Sequence, residues 1–122
     1  MTDKGPFRFI YLKMQLANPA HVDRWIEVGL LTDTRSRLSI VPRSLLERLD
    51  IQPMGKRRFR ILGGGERETG GVVFKYRGRI APAPVVVGED HETPILGLRA
   101  LESLGFQVDP HTGQLNPTEL LL

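Results

Sequence analysis

One short polar turn between two apolar segments organises the sequence: Leu30-Leu31-Thr32-Asp33-Thr34-Arg35-Ser36-Arg37-Leu38-Ser39-Ile40-Val41-Pro42. Asp33 stands at the centre of this turn, where one strand pattern stops and another begins. Taken by itself, an Asp-Thr pair is most often an ordinary turn, because both side chains favour turns. The significance of Asp33 therefore depends on the segments to either side.

Two strands are predicted before the turn. Residues Phe7 to Leu16 alternate between apolar and polar side chains, which is the period of a half-buried strand. The segment Asn18 to His21 interrupts that period and predicts a turn. Alternation resumes from Arg24 to Thr32, so we expect a second strand that leads directly into Asp33.

A short strand and a helix are predicted after the turn. The strand spans Leu38 to Val41, and Pro42 suits the first turn of a helix because its missing N–H leaves no bond unmade. We expect the helix to run from Arg43 to about Asp50. Its buried stripe is formed by three leucines, Leu45, Leu46 and Leu49.

A glycine-rich hairpin is predicted in the middle of the chain. A basic strand from Gly55 to Leu62 runs into the segment Gly63 to Gly71, which is rich in glycine. Glycine tolerates positive φ and permits close approach of another backbone, so this segment predicts a flexible hairpin that can lie over a ligand. The following strands are expected over Val72 to Tyr76 and Arg79 to Val87.

Two prolines, Pro82 and Pro84, interrupt the last of these strands. Proline cannot donate a hydrogen bond to a neighbouring strand, so it is found mainly at sheet edges. We therefore expect the strand from Arg79 to Val87 to lie at an edge rather than in the sheet centre.

The last third of the chain repeats an earlier pattern. The apolar segment Pro94 to Gly97 precedes a predicted helix, Leu98 to Leu104, which Gly105 ends. A terminal hairpin then follows, with strands at Phe106 to Asp109 and Gln114 to Asn116. The helical segment matches Leu46 to Ile51 in pattern, which is consistent with a duplicated half-domain or with chance similarity between leucine-rich helices.

The order of these features resembles the retropepsin-like, retroviral-type aspartic peptidases over roughly residues 24 to 116. The active-site loop of that family reads Asp-Thr-Gly, whereas this chain has Asp-Thr-Arg with Arg35 in the glycine position. The resemblance implies an all-β fold: a small, closed, acid-protease-like β-barrel with two short helices. It also implies that residues 1–122 form one such domain and that the domain works as a homodimer on a peptide or protein substrate.

The resemblance also assigns roles to individual residues. Asp33 would be the catalytic carboxylate, and Thr34 would brace the two loops across the dimer axis. Terminal strands interleave in such dimers, and Leu120 to Leu122 would contribute there. The remaining roles are a flap from about Leu62 to Val72 that includes Gly63, Gly64 and Gly65, and support of the Asp33 loop by Ile95, Leu96 and Gly97.

The chemistry of the family requires two carboxylates that share one proton and hold a water molecule between them. One acts as a base towards the water while the other polarises the scissile carbonyl. Because this chain has one Asp-Thr loop, the second aspartate must come from another copy. The guanidinium of Arg35 favours the ionised carboxylate and therefore opposes the shared-proton state.

Three explanations of Arg35 remain open: a non-catalytic relative, an active peptidase in which Arg35 faces outward, and a chain altered at this position. The non-catalytic reading makes the chain a peptide-binding or assembly module on the same fold. A third function, a basic β domain that binds nucleic acid, is suggested by the run Lys56 to Arg60. That function is disfavoured, because a single aromatic accompanies the run and charged strands also protect sheet edges.

The composition limits the remaining function classes. A formal charge of +3 from 17 basic and 14 acidic residues indicates only weak attraction to polyanions. The absence of cysteine excludes disulfides and cysteine nucleophiles, and the three histidines lack the spacing of metal ligands. We expect no cofactor, no metal and no membrane association. A cytoplasmic location is also expected, because residues Met1 to Pro6 lack the apolar core of a secretory signal.

Overall fold

The structure is a computed structural model that describes residues 10–59 and 65–119. Strands dominate it, and there are two short helices, as the sequence predicted. The strands are β1 (Tyr11–Asn18), β2 (His21–Thr32), β3 (Ser39–Pro42), β4 (Gly55–Arg58), β5 (Glu66–Tyr76), β6 (Arg79–Gly88), β7 (Ile95–Leu96), β8 (Phe106–Val108) and β9 (Leu115–Pro117). The helices are α1 (Arg43–Arg48) and α2 (Leu98–Leu104).

The first two strands form an antiparallel hairpin whose alternation matches its burial. Tyr11 of β1 pairs with Leu31 of β2, and Leu16 pairs with Ile26. Met14 and Leu16 are buried in β1, as are Val28 and Leu30 in β2. The period-two pattern therefore placed the correct faces inward, although β2 begins at His21, three residues before the predicted start.

The main sheet closes on itself. Its strand order is β1-β2-β7-β3-β6-β5-β4, and an additional pairing joins β1 to β5. Both β1 and β4 lie along the same edge of β5, β4 at Glu66 to Thr69 and β1 at Val73 to Lys75. Six strands thus form a closed ring around the apolar core, and β4 extends outward from it.

Two parallel strand pairs link the halves of the chain. Strand β2 pairs with β7, and β3 pairs with β6, so each half supplies a strand to the other. In the first half of the chain α1 follows β3, and in the second half α2 follows β7. The repeated pattern in the sequence therefore corresponds to two similar strand-helix units that are joined crosswise.

The two helices end in the same backbone conformation. Asp50 follows α1 with φ of 59°, and Gly105 follows α2 with φ of 81°. After α1, the N–H of Ile51 donates to the carbonyl of Leu46, a bond typical of this kind of helix end.

Among the residues that the structure describes, no helix is long and apolar enough to cross a membrane.

The prediction of an edge strand at Arg79 to Val87 is wrong. Strand β6 lies between β3 and β5 in the sheet. Its pairing with β3 begins only at Val85, so Pro82 and Pro84 lie where β6 has a paired neighbour on one side alone. The two prolines therefore indicate only that this part of β6 lacks a second paired neighbour. They do not indicate the position of the whole strand in the sheet.

The glycine-rich segment is also more regular than predicted. Strand β5 begins at Glu66 and includes Gly70 and Gly71, which pair with Val85 and Pro84 of β6. The hairpin between β4 and β5 is narrow, and the N–H of Phe59 donates to the carbonyl of Gly65. Gly65 has φ of +98°, and the predicted tip residues Gly63 and Gly64 lie outside the described residues. The predicted contribution of Leu120 to Leu122 also lies outside them.

Candidate active site

The Asp33 loop is held in place by the main chain of the second half of the protein. The N–H of Leu31 donates to the carbonyl of Pro94, and the N–H of Asp33 donates to the carbonyl of Leu96. On the far side of the turn, the carbonyls of Ser36 and Arg37 accept from the N–H groups of Leu98 and Arg99. The segment around Ile95, Leu96 and Gly97 thus brackets the loop at both ends.

A close approach of two backbones completes this support. A Cβ atom added to Gly97 would lie 2.5 Å from the carbonyl carbon and oxygen of Leu38 and 2.8 Å from the nitrogen of Ser39. Only glycine therefore fits at this position without moving the main chain. The buried hydroxyl of Ser39 accepts a 2.9 Å hydrogen bond from the N–H of Gly97.

Sequence inspection assigned no role to Ser39, although a signal was present. Ser39 and Val41 are both buried positions of β3, so a polar side chain faces the core there. A buried hydroxyl in an otherwise apolar strand face normally has a hydrogen-bond partner. That partner, the N–H of Gly97, could not be identified from the sequence because it lies 58 residues away.

We expect Ser39→Ala to lower the free energy of unfolding by about 1–3 kcal/mol, because the buried N–H of Gly97 loses its acceptor. Thermal unfolding followed by circular dichroism measures this change. Ser103→Ala is the matched control, since Ser103 is exposed on α2 and should respond by less than about 0.5 kcal/mol. Equal effects of both substitutions would contradict a specific role for the Ser39 hydroxyl.

Asp33 and Arg35 form an ion pair within the loop. The Nε of Arg35 lies 3.1 Å from Oδ1 of Asp33, and its Nη2 lies 3.3 Å from Oδ2. The N–H of Arg35 also donates to Oδ1 at 3.0 Å. Both carboxylate oxygens therefore accept hydrogen bonds from Arg35, whose side chain pairs with Asp33 while it remains mostly exposed.

The electrostatics of the pair keep Arg35 charged. Hydrogen bonding to Asp33, followed by the charge of that carboxylate, raises the pKa of the Arg35 guanidinium, and the smaller effect of burial opposes it. The side chain of Asp33 is 18% exposed, whereas that of Arg35 is 62% exposed. Arg35 thus screens the carboxylate from solvent with a permanent positive charge.

The backbone at Arg35 is not strained. Among the non-glycine residues that the structure describes, only Asp50 and Arg77 have positive φ. The turn therefore accepts an L-residue at position 35.

Two adjoining cavities lie between the Asp33 loop and the hairpin of β4 and β5. Their volumes are about 610 Å³ and about 260 Å³, and both are lined by Arg37, Leu38 and Phe59. We call the two together the arginine groove. Arg35 lines the smaller cavity, whereas Asp33 lines neither of the two.

The sequence-predicted site residues are therefore partly brought together. Asp33, Thr34 and Arg35 share one turn, and the main chain at Leu96 to Gly97 contacts that turn directly. Within residues 10–59 and 65–119, no group of three or more His, Cys, Asp or Glu side chains is placed to hold a metal ion.

The fold is that of the retropepsin-like aspartic proteases, which confirms the resemblance seen in the sequence. The EIAV protease complexed with the inhibitor HBY-793 superposes with a TM-score of 0.57 at 20% identity, and the match covers 94% of each chain. A foamy viral protease-reverse transcriptase in complex with an RNA/DNA hybrid gives a TM-score of 0.55 at 17% identity.

The match to the foamy viral protein covers 92% of this chain but only 13% of that much longer one. The native prototype foamy virus protease-reverse transcriptase superposes with a TM-score of 0.50 at 20% identity, and the match covers 12% of its length. No protein-family model and no curated protein sequence matches the chain. Because the identities are 20% or lower, the similarity establishes the fold alone.

Proposed function

We propose that this chain is one subunit of a retropepsin-like aspartic endopeptidase. The observation that carries this proposal is the loop of Asp33, which the main chain of residues 94 to 99 brackets at both ends beside an open groove. A precisely supported carboxylate next to a groove suits peptide hydrolysis, because catalytic groups must be held within fractions of an ångström of the productive geometry.

The proposed enzyme is a homodimer. One copy supplies one Asp-Thr loop, and the reaction needs two carboxylates in contact. In the dimer, one Asp33 would take a proton from the bound water while the other, protonated, would polarise the scissile carbonyl. Thr34 would brace the paired loops, and the hairpin of β4 and β5 would close over the peptide as a flap. A cytoplasmic location belongs to this proposal as well.

Arg35 is proposed to restrain this enzyme without abolishing it. Its guanidinium neutralises Asp33 and must leave the carboxylate before two copies of Asp33 can share a proton. The same ion pair favours the second candidate, a peptide-binding module without catalysis, because it occupies both carboxylate oxygens. The two candidates differ in whether any peptide bond is broken.

The test is cleavage of an unstructured protein mixture, measured by mass spectrometry of newly formed peptide ends. We expect cleavage by the wild-type chain, inhibition by a statine-type compound, and a loss of at least about 100-fold in Asp33→Asn, which lacks the base. Asp23→Asn is the matched control, because Asp23 is exposed near the start of β2, at the opposite end of that strand from the Asp33 loop. Absence of cleavage by the wild type and by Arg35→Gly would favour the non-catalytic module.

Mixing the two chains tests the shared site directly. A tenfold excess of the Asp33→Asn chain should reduce the activity of a fixed amount of wild type about tenfold, because random pairing leaves few dimers with two aspartates. A site complete within one chain would keep its full activity in the same mixture. Asp23→Asn chain at the same excess should not inhibit.

A further inference from the structure

The hairpin of β4 and β5 has two faces of different charge. Across the hairpin, Lys56 pairs with Glu68 and Arg58 pairs with Glu66, whereas Arg57 pairs with Arg67. Residues paired across two strands project to the same face of a sheet. One face of the hairpin therefore alternates positive with negative, and the other face carries two arginines towards the groove.

Most of the positive charge in the arginine groove has no negative partner. Arg67 is compensated by Glu92, whose Oε1 lies 2.7 Å from its Nη2, and Arg35 is compensated by Asp33. Three exposed arginines remain, Arg37, Arg57 and Arg99, and none of them forms an ion pair with a described carboxylate. Among the described residues, no acidic side chain lines either cavity.

These arginines are also held close to one another. The N–H of Arg99 donates to the carbonyl of Arg37 at 2.9 Å, so their backbones adjoin at one wall of the larger cavity. Arg57 reaches the same cavity from the hairpin. Uncompensated like charges in one concave site repel each other and attract anions, and the planar guanidinium is suited to bidentate recognition of carboxylates.

The rest of the groove is apolar. Its walls include Leu38, Phe59 and Val72, together with Pro82, Ala83 and Pro84 of β6. Such a surface binds aliphatic or aromatic side chains, while the arginines at its margin bind acidic ones. An extended peptide can satisfy both, because alternate side chains of a strand enter different pockets.

We propose that the arginine groove selects extended peptides that carry Asp or Glu side chains beside apolar residues. This selection rests on the proposed peptidase function, for which it defines the substrate class. A nucleic acid fits the groove less well, because Phe59 is its single described aromatic and the remaining basic residues of β4 face glutamates on the other side of the hairpin.

Binding of two uncleavable peptides tests the proposal. Both have the same apolar sequence around a central statine, and they differ only in two flanking positions, which are Glu in one peptide and Gln in the other. Fluorescence anisotropy with the full wild-type chain should give at least about tenfold tighter binding of the Glu peptide in 50 mM salt. The ratio should shrink as salt is added.

Substitution of the arginines identifies the source of the preference. We expect the Glu-to-Gln ratio to fall below about threefold in the double variant Arg37→Gln/Arg99→Gln and to fall partly in Arg57→Gln. Arg58→Gln is the matched control, because Arg58 lies next to Arg57 on the opposite face of the hairpin and should keep the full ratio. Circular dichroism confirms that each variant is folded.

The outcomes separate this proposal from the peptidase itself. A ratio near one in the wild type, a ratio that survives in the double variant, or tighter binding of a single-stranded DNA of equal charge would overturn the selection of acidic peptides. A tenfold ratio in a chain that cleaves nothing would support the selection and refute the peptidase. Equal cleavage of the Glu and Gln substrates, together with a binding ratio of one, would support the peptidase and refute the selection of acidic peptides.

Discussion

Replacing Arg35 with glycine should raise kcat/KM for peptide cleavage by at least about tenfold. The substitution frees both oxygens of Asp33 from the guanidinium, and in the proposed dimer this would allow two carboxylates to share a proton. It would also remove two positive charges that repel each other between the paired loops of the proposed dimer. A tenfold gain corresponds to about 1.4 kcal/mol of transition-state stabilisation.

The stability of the folded chain should change little in the same variant. Solvent screens an exposed ion pair, and Arg35 is mostly exposed. Arg35→Lys keeps the charge but loses the paired geometry, so it should give an intermediate rate. Arg48→Gln removes an exposed arginine at the end of α1 and should leave the rate unchanged. A lower rate in a folded Arg35→Gly protein would mean that the ion pair assists the reaction.

Gly97→Ala should produce the largest loss of stability among single substitutions at the site, about 3 kcal/mol or more. Its Cβ would lie 2.5 Å from the carbonyl of Leu38, which is main chain and cannot turn aside. Overpacking of this kind costs about 1–3 kcal/mol, and separation of the two segments also weakens the buried bond to Ser39. For a chain of this size we expect the melting temperature to fall by about 10 °C.

Gly71→Ala provides the matched control for that loss. No atom lies within 4 Å of a Cβ added at Gly71, and its φ lies outside the left-handed region. The same chemical change should therefore be nearly neutral in β5, or slightly stabilising. Thermal unfolding of both variants compares their losses of stability. Equal stability of Gly97→Ala and wild type would show that the two backbones do not approach so closely.

Local sequence patterns predicted most of the elements, because local chemistry determines them. Alternation in β1 and β2 followed burial, and Leu45 and Leu46 of α1, with Leu49 just after it, pack against the core. Gly105 ends α2 in the left-handed conformation that was expected of a glycine there. Short-range periodicity and turn chemistry were sufficient for each of these features.

Features that depend on pairing could not be predicted in the same way. The position of β6 inside the sheet depends on its partner β3, and the prolines gave a misleading indication because they reflect only part of the strand. The register that sets Arg57 opposite Arg67 follows from the β4 and β5 pairing. No local pattern distinguishes it from a register shifted by one residue, which would reverse the two faces.

The candidate site also combines features that local sequence predicts with features that depend on distant contacts. The resemblance predicted that residues 95 to 97 contact the Asp33 turn, and their main chain does so, but the direction of the Arg35 side chain was not predicted. A flexible arginine beside an aspartate can turn towards it or towards solvent, and the energies differ by less than a sequence pattern resolves. Arg99 was not recognised as a groove residue, because its position depends on contact between α2 and the distant Asp33 loop.

The crosswise joining of the two halves has a consequence for folding. Four backbone hydrogen bonds join residues 31 to 37, which include the Asp33 turn, to residues 94 to 99, and each of them spans 62 or 63 positions of sequence. Domains dominated by such long-range pairings fold slowly, in milliseconds to seconds, because a long loop must close before its contacts form. A ribosome synthesises Asp33 well before Gly97, so the nascent chain carries its aspartate in a turn without these bonds until residues 94 to 99 have emerged.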